Sequence, residues 1–395
     1  MIHNIVLIGA RLSDNLGGPS LAVSTMEVLK QEYPNANFTL LVPEQAYLKD
    51  QKFESKYQIT VLPFQAEKVL IYLLIKQWFK LSIGSEAYRK SILIIQKSDL
   101  IADIWGIMFA DSFRSVSFVS KLREGIRLVY GRIVKTPVVK YTAAMGPFKS
   151  RWNRFFAKYY LNNFVDVILA RDETTKTHLK NIHISTPIFQ VPDTAFLLPL
   201  ASVESAKKNN LVGISVSYQA RNRYSTPSEY TTMMSEFIRD IIDRYGINII
   251  IIPNEIEPGK DDDCKIAVEI NTRINHNRCK ILETADLTAS QIKGEIQECD
   301  VVIAARYHTI VASLSLGIPT LAIGWHHKYT GVLKLFHQEN YMIDIRELDF
   351  DILSEKFSSL WKERKMAHGE IASYAKQVKN DVMQGGVYIH NKLKD

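Results

Sequence analysis

Cysteine is nearly absent. The 395 residues hold three, Cys264, Cys279 and Cys299. Their number is odd and their spacing matches no metal site or redox pair, so neither a disulfide framework nor a thiolate metal centre is expected. Such scarcity suits a reducing compartment. Long apolar runs are missing as well. The most apolar stretch, Val69 to Ile83, is interrupted by Lys76 and Lys80. It falls short of the about 20 residues that cross a bilayer core of ~30 Å. It reads as a buried helix, with a helix lying on a membrane, Trp78 and Phe79 at headgroup depth, as the alternative. The first residues carry neither the basic n-region nor the cleavage site of a signal peptide. A cytoplasmic protein is therefore expected. No P-loop, dinucleotide fingerprint or metal-ligand spacing occurs. No recognised DNA- or RNA-binding motif occurs either, so nucleic acid is not an expected partner.

What is present describes a soluble globular chain. Hydrophobic residues make up 46% and charged residues 23%, enough for a sizeable core. At roughly 150 residues per domain the length implies two or three domains. The net charge of +7 is concentrated. Between Arg114 and Lys158 stand eleven basic residues against one acidic residue, Glu124. A field of that sign attracts phosphorylated metabolites, acidic glycans or an anionic membrane face. A plain solvated surface is the competing reading.

Short β-branched runs alternate with amphipathic segments, which implies βαβ units and parallel sheets. Strands are expected at Ile5–Gly9, Phe38–Val42, Ser91–Ile95, Leu100–Ile104, Val138–Thr142, Val167–Ala170 and Phe189–Val191, with helices such as Ser20–Glu32 and Arg151–Phe164. Residues 201–210 are small, polar and charged and read as a linker. The alternation then restarts, with strands at Leu211–Ser217, Asn248–Pro253, Lys280–Leu282, Val301–Ala304 and Thr320–Ile323. The expected fold is α/β: two Rossmann-like doubly wound domains, 1–200 and 211–350, facing across a cleft, followed by a helical tail over 351–395. In such sheets ligands bind beyond the carboxyl ends of the strands.

The loops after strands are therefore the candidates. Asn15-Leu16-Gly17-Gly18 follows the first strand and opens a helix, where paired glycines let backbone approach a ligand. Asp103, in the loop region after a buried strand, is placed either to line the cleft or to cap a turn. Arg171 and Asp172 follow another strand. Arg171 is placed for the cleft, and Asp172 reads as a helix cap more readily than as a substrate contact. Arg221 and Arg223 follow the first strand of the second half, where guanidinium forks suit a doubly charged anion. Arg306 and His308 sit where a buried strand gives way to a helix, an anion holder beside a group that exchanges protons near neutral pH. Lys328 follows the next strand as a further cation.

These residues resemble a known family. Arg306-Tyr307-His308, then Gly317-Ile318-Pro319, then Lys328 is similar to the C-terminal signature of polysaccharide pyruvyl transferases. Gly146-Pro147-Phe148, Arg171-Asp172-Glu173 with Thr175, Pro192-Asp193-Thr194-Ala195-Phe196 and Asp262-Asp263 match further family elements in order. Two positions depart from it. Asp103-Ile104-Trp105-Gly106 stands where a Gly-Gly is usual, and Gly18 where aspartate is common. The resemblance implies a fold similar to GT-B glycosyltransferases and phosphoenolpyruvate as donor. It implies as acceptor a glycan or lipid-linked oligosaccharide, which would gain a pyruvate ketal. No metal or organic cofactor is implied. His308 and Arg306 would act at the donor, with Lys328 and Arg221 or Arg223 helping Arg306 to offset its charge. Asp103 or Asp172 would deprotonate the acceptor. Peripheral contact with an anionic membrane would follow from a lipid-linked acceptor. A nucleotide-sugar glycosyltransferase of the same fold and a non-catalytic glycan-binding relative are the rival readings.

Overall fold

The computed structural model describes residues 2–13, 16–79, 85–111, 118–201, 210–255, 262–325 and 327–394. The expected linker lies almost wholly outside them. In the first half, β1 (Asn4–Ile8), β2 (Asn37–Pro43), β3 (Thr60–Phe64), β4 (Leu100–Asp103), β5 (Ile107–Met108), β6 (Val138–Met145), β7 (Val167–Ala170) and β8 (Ile188–Gln190) form one sheet in the order β3-β2-β1-β4-β6-β7-β8, with β5 beside β6. In the second half, β9 (Leu211–Ser215), β10 (Asn248–Ile251), β11 (Cys279–Ile281), β12 (Val301–Ala304), β13 (Thr320–Gly324) and β14 (Met342–Asp344) run in the order β11-β10-β9-β12-β13-β14. Every described pairing is parallel. β4, β6, β7, β9, β12 and β13 are buried along their whole length, all eight residues of β6 among them, as required when helices cover both faces.

By sequence rank the second sheet reads 3-2-1-4-5-6, the dinucleotide-fold order. Its strand order reverses between β9 and β12, and that of the first sheet between β1 and β4. Loops leaving those strand pairs border the crevice such sheets use for ligands. Four of the expected site loops leave these strands.

The chain divides into two units. One comprises residues 1–13, 21–194 and 381–395, the other 14–20 and 195–380. The C-terminal helix, Phe350–Lys394, supplies residues to both. In the first unit its end packs on strand residues, with Phe189 stacked on Tyr388 at 4.6 Å.

Two local readings are corrected. Ser91–Ile95 is not a strand but part of the helix Glu86–Lys97. Ser85 caps that helix by accepting from the Tyr88 N–H, and the buried set Tyr88, Ser91, Ile92, Ile95 has helical spacing. The β-branched residues there follow the helical period rather than an alternating one. Conversely β3, unread in the sequence, contains Pro63. It is an edge strand with β2 as its partner, where a residue lacking an N–H is tolerated. The strand expected to reach Ser217 stops at Ser215, because the Ser217 side chain accepts from the N–H groups of Gln219 and Ala220 and starts a helical turn.

Lys293 is buried in the helix Ala289–Gln297 and donates to the Leu198 carbonyl at 2.7 Å. Burial, and then the charge of Lys379, bring its pKa down from 10.5 to about 7. Between those values the unfolded chain holds a proton that the folded chain lacks, so stability rises with pH across the window and the burial penalty is complete below it. Urea unfolding at a series of pH values should show this rise, on the order of 1–3 kcal/mol, from pH 7 to 10. Lys293→Met should remove that increment. Parallel profiles for the two proteins would contradict it.

Candidate functional site

In the second unit β12 ends at Ala304, and two residues later Arg306 occupies the cap position of the helix Tyr307–Ser315 in an extended conformation. Its guanidinium is held by carboxylates. Nε donates to Asp263 Oδ2 at 2.7 Å, Nη2 to Asp263 Oδ1 at 2.5 Å, and Nη2 pairs with Glu255 Oε2 at 2.7 Å. Burial opposes the charge on Arg306, but Asp263 and then Glu255 outweigh it and raise its pKa above the ordinary value.

Asp263 is fully buried. It also accepts from the backbone N–H of Tyr218 at 2.9 Å, Asn254 at 3.3 Å and Glu255 at 3.1 Å. One carboxylate therefore ties together the loops after β9, β10 and β12. Beneath it, Asn254, Ser215 and Thr309 form a buried polar network. Asn254 Nδ2 donates to both hydroxyls, and the Thr309 hydroxyl to Ser215 Oγ at 3.1 Å.

His308 is the second residue of its helix, with its ring edge-on to Tyr307 at 5.5 Å. Its imidazole lies against Gly17, where an added Cβ would overlap it. Gly17 and Gly18 open the helix Gly17–Glu32. Close approach, not turn geometry, is what requires glycine at 17. Lys328, in the helix His327–Lys334, places Nζ over the rings of Tyr307 at 5.1 Å and Tyr329 at 5.2 Å. The Arg223 guanidinium stacks over Trp325 at 5.0 Å, and Trp325 packs on Tyr329 at 5.2 Å. Burial raises the pKa of Tyr329, and the charges of Arg306 and Arg223 pull it back, so both cations act on the same ring. Arg306, His308, Lys328 and Arg223 thus converge around Tyr307, Tyr329 and Trp325. Arg221 does not join them: it turns to Glu269 at 3.5 Å and the Pro227 carbonyl.

The candidates of the first unit are held in internal contacts. Asp103 is buried between Lys140, at 2.6 Å, and Arg127, whose guanidinium also covers Trp105 at 4.4 Å. Burial would raise the Asp103 pKa, but Arg127 and Lys140 outweigh it and hold it below the usual carboxylate range. Such a carboxylate accepts a proton poorly. The loop is clamped from the other side by Gly9, at φ +108°, where a Cβ would stand 2.8 Å from Trp105. Arg171 forms a buried pair with Asp193 at 3.0 Å. Asp172 caps the helix Glu173–Asn181 through the Thr175 N–H at 2.6 Å. Asn15 lies outside the described residues. Among the described residues, no group of three or more His, Cys, Asp or Glu side chains is arranged to hold a metal ion.

Asp262-Asp263 was read as a family element, but neither Asp263 nor Glu255 was read as a partner of Arg306. The aromatic floor of Tyr307, Trp325 and Tyr329 gave no signal that separates it from core.

Two outcomes follow from this geometry. Asp263→Asn leaves a largely buried guanidinium short of its main partner, and breaking such a pair costs about 3–5 kcal/mol. Urea unfolding should show a loss of that order, while Asp263→Asn with Arg306→Met should lose less than the two single changes added together. Gly17→Ala should displace the His308 imidazole, seen as a changed ring resonance in NMR spectra, with little change in melting temperature. An unmoved resonance would contradict the contact.

The sequence profile described as polysaccharide pyruvyl transferase matches residues 15–327. The amylovoran biosynthesis protein AmsJ of Erwinia amylovora is 20% identical over 376 residues, covering 87% of this chain and 88% of AmsJ. Among solved structures, Anabaena Alr3699/HepE in complex with UDP and glucose aligns with a TM-score of 0.61 at 15% identity over 98% of this chain and 99% of that one. A putative UDP-N-acetylglucosamine 2-epimerase from Listeria monocytogenes aligns with a TM-score of 0.61 at 11% identity over 98% and 97%. These likenesses give the fold, a GT-B-like pair of parallel-sheet α/β domains. With the family profile spanning most of its length and the Arg-x-His element after β12, the chain belongs to the polysaccharide pyruvyl transferase family.

Proposed function

We propose that the protein transfers the enolpyruvyl group of phosphoenolpyruvate to a sugar of a surface polysaccharide or its lipid-linked precursor, forming a pyruvate ketal and releasing phosphate. The observation that carries this is the convergence of His308, Arg306, Lys328 and Arg223 at the head of one helix. Phosphoenolpyruvate brings a carboxylate and a phosphate. Arg306 is already matched by Asp263 and Glu255, so its role is to fix the helix start. Lys328 and Arg223 meet the donor anion, with Arg306 behind them. His308 gives a proton to the enol CH₂, which becomes a methyl group and leaves an oxocarbenium-like carbon. One sugar hydroxyl adds to that carbon and loses its proton. A second hydroxyl then displaces phosphate, and the ketal closes. Asp103, enclosed by two cations, holds its own loop in this scheme and is not the acceptor base. The acceptor is carried on the cytoplasmic side at an anionic membrane face.

Phosphate release from phosphoenolpyruvate, with candidate glycans as acceptors, tests the assignment. His308→Ala should lose about 10²–10⁴-fold in rate, the range of general acid–base help, and Arg306→Ala should also lose most activity. Full activity in both variants would remove these residues from the site. A second reading, nucleotide-sugar binding, draws on the UDP held by Alr3699/HepE and on the helix start at the strand-order reversal of the second sheet. Thermal shift separates the two. Stabilisation by phosphoenolpyruvate but not by UDP is expected, and the reverse would favour the second reading.

A further inference from the structure

Three neighbouring helices of the first unit leave their outer side apolar. On Arg151–Phe164 the residues fall into three stripes. Asn153, Phe156, Ala157 and Tyr160 are buried. Trp152, Phe155 and Tyr159 are exposed, the first two by 50% and 56%. Arg151, Arg154 and Lys158 are exposed beside them, each one residue earlier in sequence. The helix Phe118–Ile126 packs against this one and against Ala66–Phe79. It exposes Phe118, Val119 and Leu122, and Phe118 meets Trp152 edge-on at 5.1 Å. On Ala66–Phe79, Ile71, Leu74 and Trp78 are exposed, Trp78 by 78%. Three neighbouring helices therefore each expose apolar side chains, joined between two of them by the Phe118–Trp152 contact, and exposed apolar surface gathered in this way marks an interaction site.

The surrounding charge decides what covers it. Arg132, Lys135 and Lys149 are exposed along the same stretch, and Arg123 is exposed and paired with Glu67 of the helix Ala66–Phe79 at 3.4 Å. Between 118 and 164 the sole acidic residue is Glu124, and it is paired with Lys121 at 2.8 Å. Two copies meeting through this face would bring like charges together. An anionic surface instead meets cations, and Trp and Tyr are the side chains favoured at headgroup depth. No helix among the described residues is long and apolar enough to cross a membrane, so contact would be from one side. We infer that the face formed by these three helices docks the protein on an anionic lipid bilayer, apolar side chains entering the headgroup boundary and the basic stripe lying over the phosphates. The inference rests on the proposed membrane-borne acceptor for its purpose, and on the three helices alone for its geometry.

Co-sedimentation of the full chain with phosphatidylcholine vesicles, with and without phosphatidylglycerol, tests it. Binding to the phosphatidylglycerol vesicles at low salt is expected, with a blue shift of tryptophan emission and a fall of about tenfold or more when salt is raised. Trp152→Ser with Phe155→Ser should weaken partition about fivefold or more. Arg151→Glu with Arg154→Glu and Lys158→Glu should remove the preference for anionic vesicles. All these positions are exposed, and unchanged circular dichroism and melting temperature confirm that the variants fold. No vesicle binding by the parent protein, or equal binding by both variants, overturns the inference. So does a shift from dimer to monomer in the aromatic variant, which would make the face a contact between copies. Phosphate release with a water-soluble acceptor should stay unchanged in both variants. Vesicle binding without any turnover in the parent protein would sink the transferase reading and leave the docking surface standing.

Discussion

The site of the second unit depends on one buried carboxylate. Asp263 accepts both donors of the Arg306 fork and three backbone N–H groups from two other loops. Each of those groups would be costly to bury without a partner. The carboxylate satisfies all of them at once, so the loops and the carboxylate hold one another in place. A buried ion pair of this kind adds little net stability over a well-packed apolar pair, while removing one partner is expensive. What it supplies is position: a planar guanidinium gripped on one edge has few orientations left, and the helix that begins beside it carries His308.

The first unit uses the same physics with the signs exchanged. There one carboxylate, Asp103, lies between two cations, Lys140 and Arg127; in the second unit one cation, Arg306, lies between two carboxylates, Asp263 and Glu255. Both clusters sit at the carboxyl ends of strands next to the reversal of strand order, where backbone ends leave polar groups to be satisfied. Lys140 also donates to the carbonyls of Asp103 and Trp105, which fixes the loop that follows β4. The acidic residue that looked like a proton acceptor in the sequence is thereby an internal partner, and the arginine that looked like a bare anion holder is already matched by two carboxylates.

Most of the fold was legible because its signals are periodic and local. β7, β12 and the helix Arg151–Phe164 have the expected boundaries. In each, an unbroken apolar run or an amphipathic pattern is bounded by a polar cap or a turn. The strand expected at Ser91–Ile95 failed because β-branched content outvoted the spacing of Tyr88, Ser91, Ile92 and Ile95. β3 was missed because its proline argues against a strand unless the strand lies at an edge, and edge position is a tertiary property. The site was legible in its residue types but not in its pairings. Arg306 and Asp263 are 43 positions apart, and nothing local in the sequence joins them. In the same way, the basic residues of 151–158 registered as charge, while the aromatic stripe beside them registered only once burial separated Trp152 and Phe155 from Phe156 and Tyr160.

The helix Phe350–Lys394 has a consequence for synthesis. The stretch from Asp381 belongs to the same unit as the first strands: a Cβ added at Gly385 would stand 3.3 Å from the side chains of Leu169 and Val191, and His390 meets Tyr33 at 5.6 Å. A ribosome makes the whole of 195–380 before it makes those residues. The earlier-born unit therefore waits, with an uncovered strip on its strands, until residues 195–380 are translated, and a segment made after the second unit closes the core of the first.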